Sequence, residues 1–282
     1  MTNSFMRKNV YRHLLLAFMS IVMIYPVIWW VGASLKSNKE LSSPNLFPAK
    51  LMWSNFVTGW NAIPRHSFTD FYINNFQLEA GILVTTVISC TLVAFGFARL
   101  DFPFRNFWFS ILMLTLMLPS QVTIIPQYSL FNSFGWVNTY LPFIIPHSLA
   151  GGAGGPFFVF LLVQFIRGIP RELDESAKID GCSWFSIYWR IVMPLTKPAI
   201  VTVIIYCFLW NWDDFFGHLL YINTVGKFTV GLALRMLNDS QSVQEWGQLL
   251  AMGLVSVIPA VIIFFTAQKH FVEGVATTGI KG

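Results

Sequence analysis

Charge is what this chain of 282 residues lacks: Asp, Glu, Lys and Arg make up 11% of it, against about 25% in an ordinary soluble domain. A soluble protein of this size covers its surface with polar groups, and too few are present here to do so. Apolar residues account for 55% and aromatic residues for 17%, with 28 Phe and 11 Trp. That excludes a disordered, collagenous or disulfide-stapled secreted chain. Cysteine is scarce as well. Cys90, Cys182 and Cys207 cannot all pair, and Cys90 and Cys207 fall in apolar runs where a thiol behaves as a small hydrophobe. Neither a disulfide framework nor a metal site is expected. The 18 Lys and Arg give a net charge of +5 but are spread along the chain, which argues against nucleic acid as a partner. Also missing are the HExxH, GxSxG and paired-carboxylate patterns of membrane-embedded enzymes. No internal repeat of the kind usual in ion-coupled carriers is detectable. A polytopic membrane protein is what remains.

A bilayer core of about 30 Å needs roughly 20 mainly apolar residues per helix. Six such runs occur, at 14–35, 76–97, 107–128, 141–165, 198–222 and 249–266. The apolar run after Arg7, Lys8 and Arg12 is too long for a signal-peptide core, so it is expected to be retained as the first span. Six spans place both termini on one side. That side carries 12 Lys and Arg and the other 6, so both termini are expected in the cytoplasm. The chain is read as one transmembrane domain over 1–282 in the lipid bilayer. Two outer segments are long, at 36–75 and 223–248, and so is the inner loop at 167–197, the most charged stretch of the chain.

That inner loop carries helix signals. Pro170 suits a first helical turn, Glu172, Asp174 and Glu175 complement the positive end of a helix dipole, and Asp180-Gly181 supplies a stop. Beyond it, Trp184, Phe185, Tyr188 and Trp189 are spaced to form one aromatic stripe at a membrane interface. On composition alone the stretch could be a solvated loop with an interfacial helix. The spacing argues for more: Glu175-Ser176-Ala177, three residues, Gly181, nine residues, Ile191, one residue, Met193-Pro194.

This pattern resembles the EAA signature of ABC-transporter permeases, E-A-A-x3-G-x9-I-x-L-P, with Ser and Met as mild substitutions. Resemblance to the sugar-type permeases, the group containing the smaller maltose-permease subunit, extends over nearly the whole chain. Asn74, Phe95 to Arg99, Pro119, Ile125-Pro126, Gly135 to Thr139, and the tail from Phe271 to Gly282 all carry it. The resemblance implies an all-α membrane protein, with six transmembrane helices in the type I importer (MetI-like) architecture, in a bacterial cytoplasmic membrane. It implies a non-catalytic subunit of an ATP-driven, binding-protein-dependent importer of sugars, di- or oligosaccharides foremost. Its partners would be a second permease subunit, two ATP-binding subunits and an extracytoplasmic solute-binding protein. No cofactor would bind this chain, since ATP and Mg would sit on the ATPase. Glu175, Ser176, Ala177, Asp180, Gly181, Ile191 and Pro194 would couple to that ATPase, with Gly279, Lys281 and Gly282 as a C-terminal contact. No phosphate-binding loop is present; Gly274 to Gly279 comes nearest, but Ile280 stands where Lys is needed.

Ionisable groups inside a span are costly and are functional candidates by default. The fifth run holds Asn211, Asp213, Asp214 and His218, of which Asn211, Asp214 and His218 would share one helix face. They are candidates for a sugar pathway, where amides and carboxylates bond hydroxyls, or equally for pairing with the partner permease. As an alternative function, Asp213, Asp214 and His218 could form the relay of an ion- or proton-coupled secondary transporter. Glu79 is expected to snorkel to water near the outer interface. Gly151 and Gly155 form a small-xxx-small pair, read first as a packing contact and second as an unwound gate.

Overall fold

A computed structural model describes residues 2–239 and 245–279, with side chains for 11–119, 121–239 and 245–266. All regular structure among them is helical. In chain order the helices are α1 (Thr2–Ser34), α2 (Ser54–Trp60), α3 (Phe68–Arg99), α4 (Arg105–Leu116), α5 (Ser120–Ser133), α6 (Leu141–Ser148), α7 (Gly155–Arg167) and α8 (Glu172–Ile179). Then come α9 (Trp184–Ile187), a π-helical turn (Tyr188–Val192), α10 (Met193–Leu195), α11 (Lys197–Trp212), α12 (Phe215–Tyr221), a 3-10 turn (Val225–Lys227), α13 (Val230–Asp239) and α14 (Trp246–Gly279).

Three helical stretches are long and apolar enough to cross a bilayer unaided: Tyr11–Ser34 of α1, all of α3, and Trp246–Thr266 of α14. Two bent pairs raise the count to as many as five, one of α4 with α5 and one joining Trp184–Leu195 to α11 at 75°. The third run breaks at Pro119, a residue with no N–H for a continuing helix. The stretch expected as a fourth span, 141–165, is two shorter helices instead. α6 stops at Ser148, Ala150 (φ 55°) and Gly154 (φ 77°) take left-handed conformations, and α7 starts at Gly155. Gly151 and Gly155 therefore do not share a helix face, and of the two readings of this glycine run the structure has the unwound one.

The chain divides into two compact units, residues 1–69 with 233–258, and residues 70–232 with 259–282. In the first, Trp30 Nε1 donates to the Leu250 carbonyl at 3.0 Å, and Asn55 Nδ2 donates to the carbonyls of Ser34 and Lys36, both at 2.9 Å. Lys36 is 2% exposed, and its ammonium donates to the Ser43 and Asn45 carbonyls, folding the segment after α1 back on itself. The second unit is built on one face of α7. Phe158, Val159, Leu162, Val163 and Ile166 recur at helical spacing, and each is at most 1% exposed. They pack in a cluster with Leu78, Ile82, Cys90 and Ala94 of α3 and with Ala199, Val203 and Cys207 of α11. By contrast, α1 from Tyr11 to Trp29 and most of α4 and α5 expose their apolar side chains, which a bilayer can solvate and water cannot.

Candidate functional site

The charged loop at 167–197 folds as its residues dictate. α8 begins at Glu172, two residues past the expected Pro170, and Glu172, Asp174 and Glu175 occupy its first turn. Its end is a Schellman motif: Cys182 N–H donates to the Ala177 carbonyl at 2.9 Å, and Gly181 N–H to that of Lys178 at 3.0 Å. Gly181 has φ 81°, the left-handed conformation that the motif requires. Only Asp174 and Ala177 of this helix are buried. Glu175, Ser176, Asp180 and Gly181 are exposed together on one helix and its turn, whereas Ala177 turns its methyl into its own chain. Ser176 Oγ donates back to the Glu172 carbonyl at 2.8 Å.

Asp174 is anchored by a residue from a distant helix. Arg99, at the end of α3, places Nε 2.9 Å from Asp174 Oδ2, with both side chains at most 7% exposed. The approach lies off the N–H direction, so the contact is an ion pair rather than a directed hydrogen bond. Arg99 Nη2 donates to the Ile169 carbonyl at 2.8 Å. Beside the pair lies an open cleft of about 510 Å³ lined by Arg99, Asp101, Asp174, Glu175, Lys178 and Trp184, among others. The Lys178 ammonium stands 3.6 Å from the centre of the Trp184 ring.

The aromatic stripe expected after Gly181 is divided between interior and surface. Tyr188 is 4% exposed, its hydroxyl is 2.9 Å from Thr91 Oγ1, and its ring meets Phe95 edge-on at 5.3 Å. Phe185 and Trp189 are exposed. The Tyr188 N–H still donates to the Trp184 carbonyl as in a regular α-helix, and at about 100° per residue Phe185 and Trp189 are turned away from Trp184 and Tyr188, which is why the four rings do not share one face. Ile191 sits half-buried in that turn against the core, and Pro194 lies exposed in α10.

The fifth-run polar residues stay close in space, the Asp214 N–H donating to the Asn211 carbonyl at 3.2 Å, but they do not share a helix face. α11 ends at Trp212, so Asn211, Asp214 and His218 do not lie on one continuous helix. Asp214 instead caps α12, its Oδ1 accepting from the Gly217 N–H at 2.9 Å. A short carboxylate bonds local N–H groups more readily than it tolerates a helix interior, and the helix breaks there. Asn211 is buried and donates to the Cys207 carbonyl at 2.8 Å. His218 is 3% exposed, with Nδ1 3.0 Å from Thr229 Oγ1 and its ring edge-on to Phe143. Asp213 is exposed. Among the described residues, no group of three or more His, Cys, Asp or Glu could hold a metal ion. Of the expected C-terminal contact, Gly279 ends α14, while Lys281 and Gly282 lie outside the described residues.

Residues 90–277, which include α8 and the segments on either side of it, match the family described as "binding-protein-dependent transport system inner membrane component". The chain belongs to this family. A curated relative, the probable ABC transporter permease protein YurM of Bacillus subtilis (strain 168), is 30% identical over 263 residues, 93% of this chain and 85% of the relative. The arabinooligosaccharides transport system permease protein AraQ of Halalkalibacterium halodurans is 28% identical over 276 residues, 94% of each chain. Among solved structures, a chain from the crystal structure of a bacterial ABC transporter involved in import of the acidic polysaccharide alginate superposes with a TM-score of 0.81. It has 19% identity, and the superposition covers 95% of this chain and 98% of that one. That likeness establishes the all-helical permease fold.

Two features of this inner-membrane transport component escaped sequence reasoning. Glu79 does not reach water: it is 3% exposed on the packed face of α3, and its Oε1 has no hydrogen-bond partner among the described residues. Asn138, part of the Gly135 to Thr139 stretch that resembled sugar-type permeases, takes φ 63°. Its Oδ1 accepts from the N–H groups of Asn223 and Thr224, and its Nδ2 donates to Thr224 Oγ1. The signal for this pin was available, since Asn tolerates the left-handed region far better than other side chains.

Proposed function

We propose that this permease is one half of the translocation pathway of an ATP-driven importer that takes up oligosaccharides or disaccharides delivered by an extracytoplasmic binding protein. A second permease subunit and two ATP-binding subunits complete the assembly. Six crossings with cytoplasmic termini follow if the α4–α5 pair, the α6–α7 pair and the segment through α11 each count as one interrupted crossing. The exposed part of α8, with Glu175, Ser176, Asp180 and Gly181, then faces the cytoplasm and seats on an ATPase subunit, and Ile191 and Pro194 shape the return into α11. ATP and Mg belong to that partner, and this subunit performs no chemistry of its own. The tail residues Gly279, Lys281 and Gly282 contact the ATPase pair.

The observation that carries this reading is the unbroken family match through α8 and the helices around it. Relatives named for arabinooligosaccharide transport support the substrate class. The test is uptake of labelled oligosaccharides by proteoliposomes holding the full complex. Uptake that needs ATP and the loaded binding protein, and that survives collapse of the proton gradient, is expected. Uptake driven by the proton gradient without ATP would overturn the reading in favour of a secondary carrier.

A further inference from the structure

The eight residues of α8 are joined to the rest of their unit at few points. Its two covalent connections are turns, Gly168-Ile169-Pro170 before it and Gly181-Cys182-Ser183 after it. Of its own side chains only Asp174 and Ala177 are buried. Ala177 offers a single methyl. The firm attachment is therefore the Arg99–Asp174 ion pair at 2.9 Å. The same guanidinium also holds the Ile169 carbonyl at 2.8 Å, so one side chain ties α3, the turn after α7, and α8.

A buried ion pair is a poor way to add stability, because desolvating two charges offsets their attraction and apolar side chains of similar size hold as well. What it adds is direction and register, since the two charges tolerate little sliding or rotation. We propose that the Arg99–Asp174 pair is the strut that passes displacement of α8 to α3 and α7, which makes Arg99 and Asp174 positioning residues for transport. The inference rests on the reading of α8 as the ATPase-docking helix. Without the strut, α8 would follow its partner while the flanking turns absorbed the movement, and the spans would not be driven.

The experiment uses the purified full complex in proteoliposomes and measures assembly, ATP hydrolysis and sugar uptake for Asp174→Asn, for Arg99→Gln, and for the exchange Arg99→Asp with Asp174→Arg. The single variants are expected to co-purify with their partners and to hydrolyse ATP, while the ATP consumed per sugar transported rises about tenfold. The exchange should recover part of that loss. A wild-type ratio in either single variant overturns the strut. So does a parallel fall in hydrolysis and uptake, or an assembly failure that the exchange does not repair. If the wild-type complex itself shows no ATP-driven uptake, the functional reading fails and the strut with it; if wild type transports and Asp174→Asn equals it, only the strut fails.

Discussion

Asp214 and Gly181 illustrate how single residues decide local structure. The carboxylate of Asp214 serves as an N-cap, a role that Asn fills equally and Ala does not. Asp214→Asn is expected to leave the melting temperature of the complex unchanged, whereas Asp214→Ala lowers stability by about 1 kcal/mol, read as a lower melting temperature. If instead the charge itself serves transport, Asp214→Asn will abolish uptake with stability intact. At Gly181 a Cβ would meet nothing within 4 Å, yet φ 81° strains any L side chain. Gly181→Val is therefore expected to cost about 1–2 kcal/mol in the turn and to raise the ATP consumed per sugar while the complex still assembles. Normal coupling in that variant would count against α8 as the docking helix.

Among the elements, α8 was legible in the sequence because everything that makes it is local: three acids in the first turn, Gly at the end, and helical residues between. The fifth run was legible as apolar but not as broken, because the cap formed by Asp214 competes with helix continuation and periodicity counting does not weigh that competition. The aromatic stripe failed because residues at i and i+1 stand about 100° apart on a helix, so burying Tyr188 leaves Phe185 and Trp189 outside. The Arg99–Asp174 pair could not be read at all, since its partners are far apart in sequence and meet only through the packing of α3 with the α7–α8 turn. The break between α6 and α7 yields its own prediction. A Cβ on Gly152 would strike the buried His147 ring, and one on Gly155 the Ala150 carbonyl. Gly152→Val should therefore lower the melting temperature of the complex by several degrees, of the order expected for overpacking by about 1–3 kcal/mol. Gly135→Ala, where φ is 69° but space is open, should cost less.

For the whole molecule, topology can be tested with the cysteines already present. Cys90 and Cys207 are 0% exposed, while Cys182 is partly accessible just after α8. A membrane-impermeant maleimide is expected to label Cys182 in inside-out vesicles and not in right-side-out ones, leaving Cys90 and Cys207 unmodified in both. Labelling from the outside would invert the topology and separate α8 from any ATPase. The low charge content pointed to a bilayer from the outset, and the exposed apolar sides of α1, α4 and α5 agree with that solvent.

The buried Lys36 bears on how the segment after α1 meets a protease. Its ammonium is wrapped by backbone carbonyls, so the segment following α1 carries one fewer accessible cation than its composition suggests, and a protease that cleaves after basic residues finds Lys39 and Lys50 exposed but Lys36 shielded. Limited trypsin digestion should cut this segment after Lys39 and after Lys50 and leave the bond after Lys36 intact.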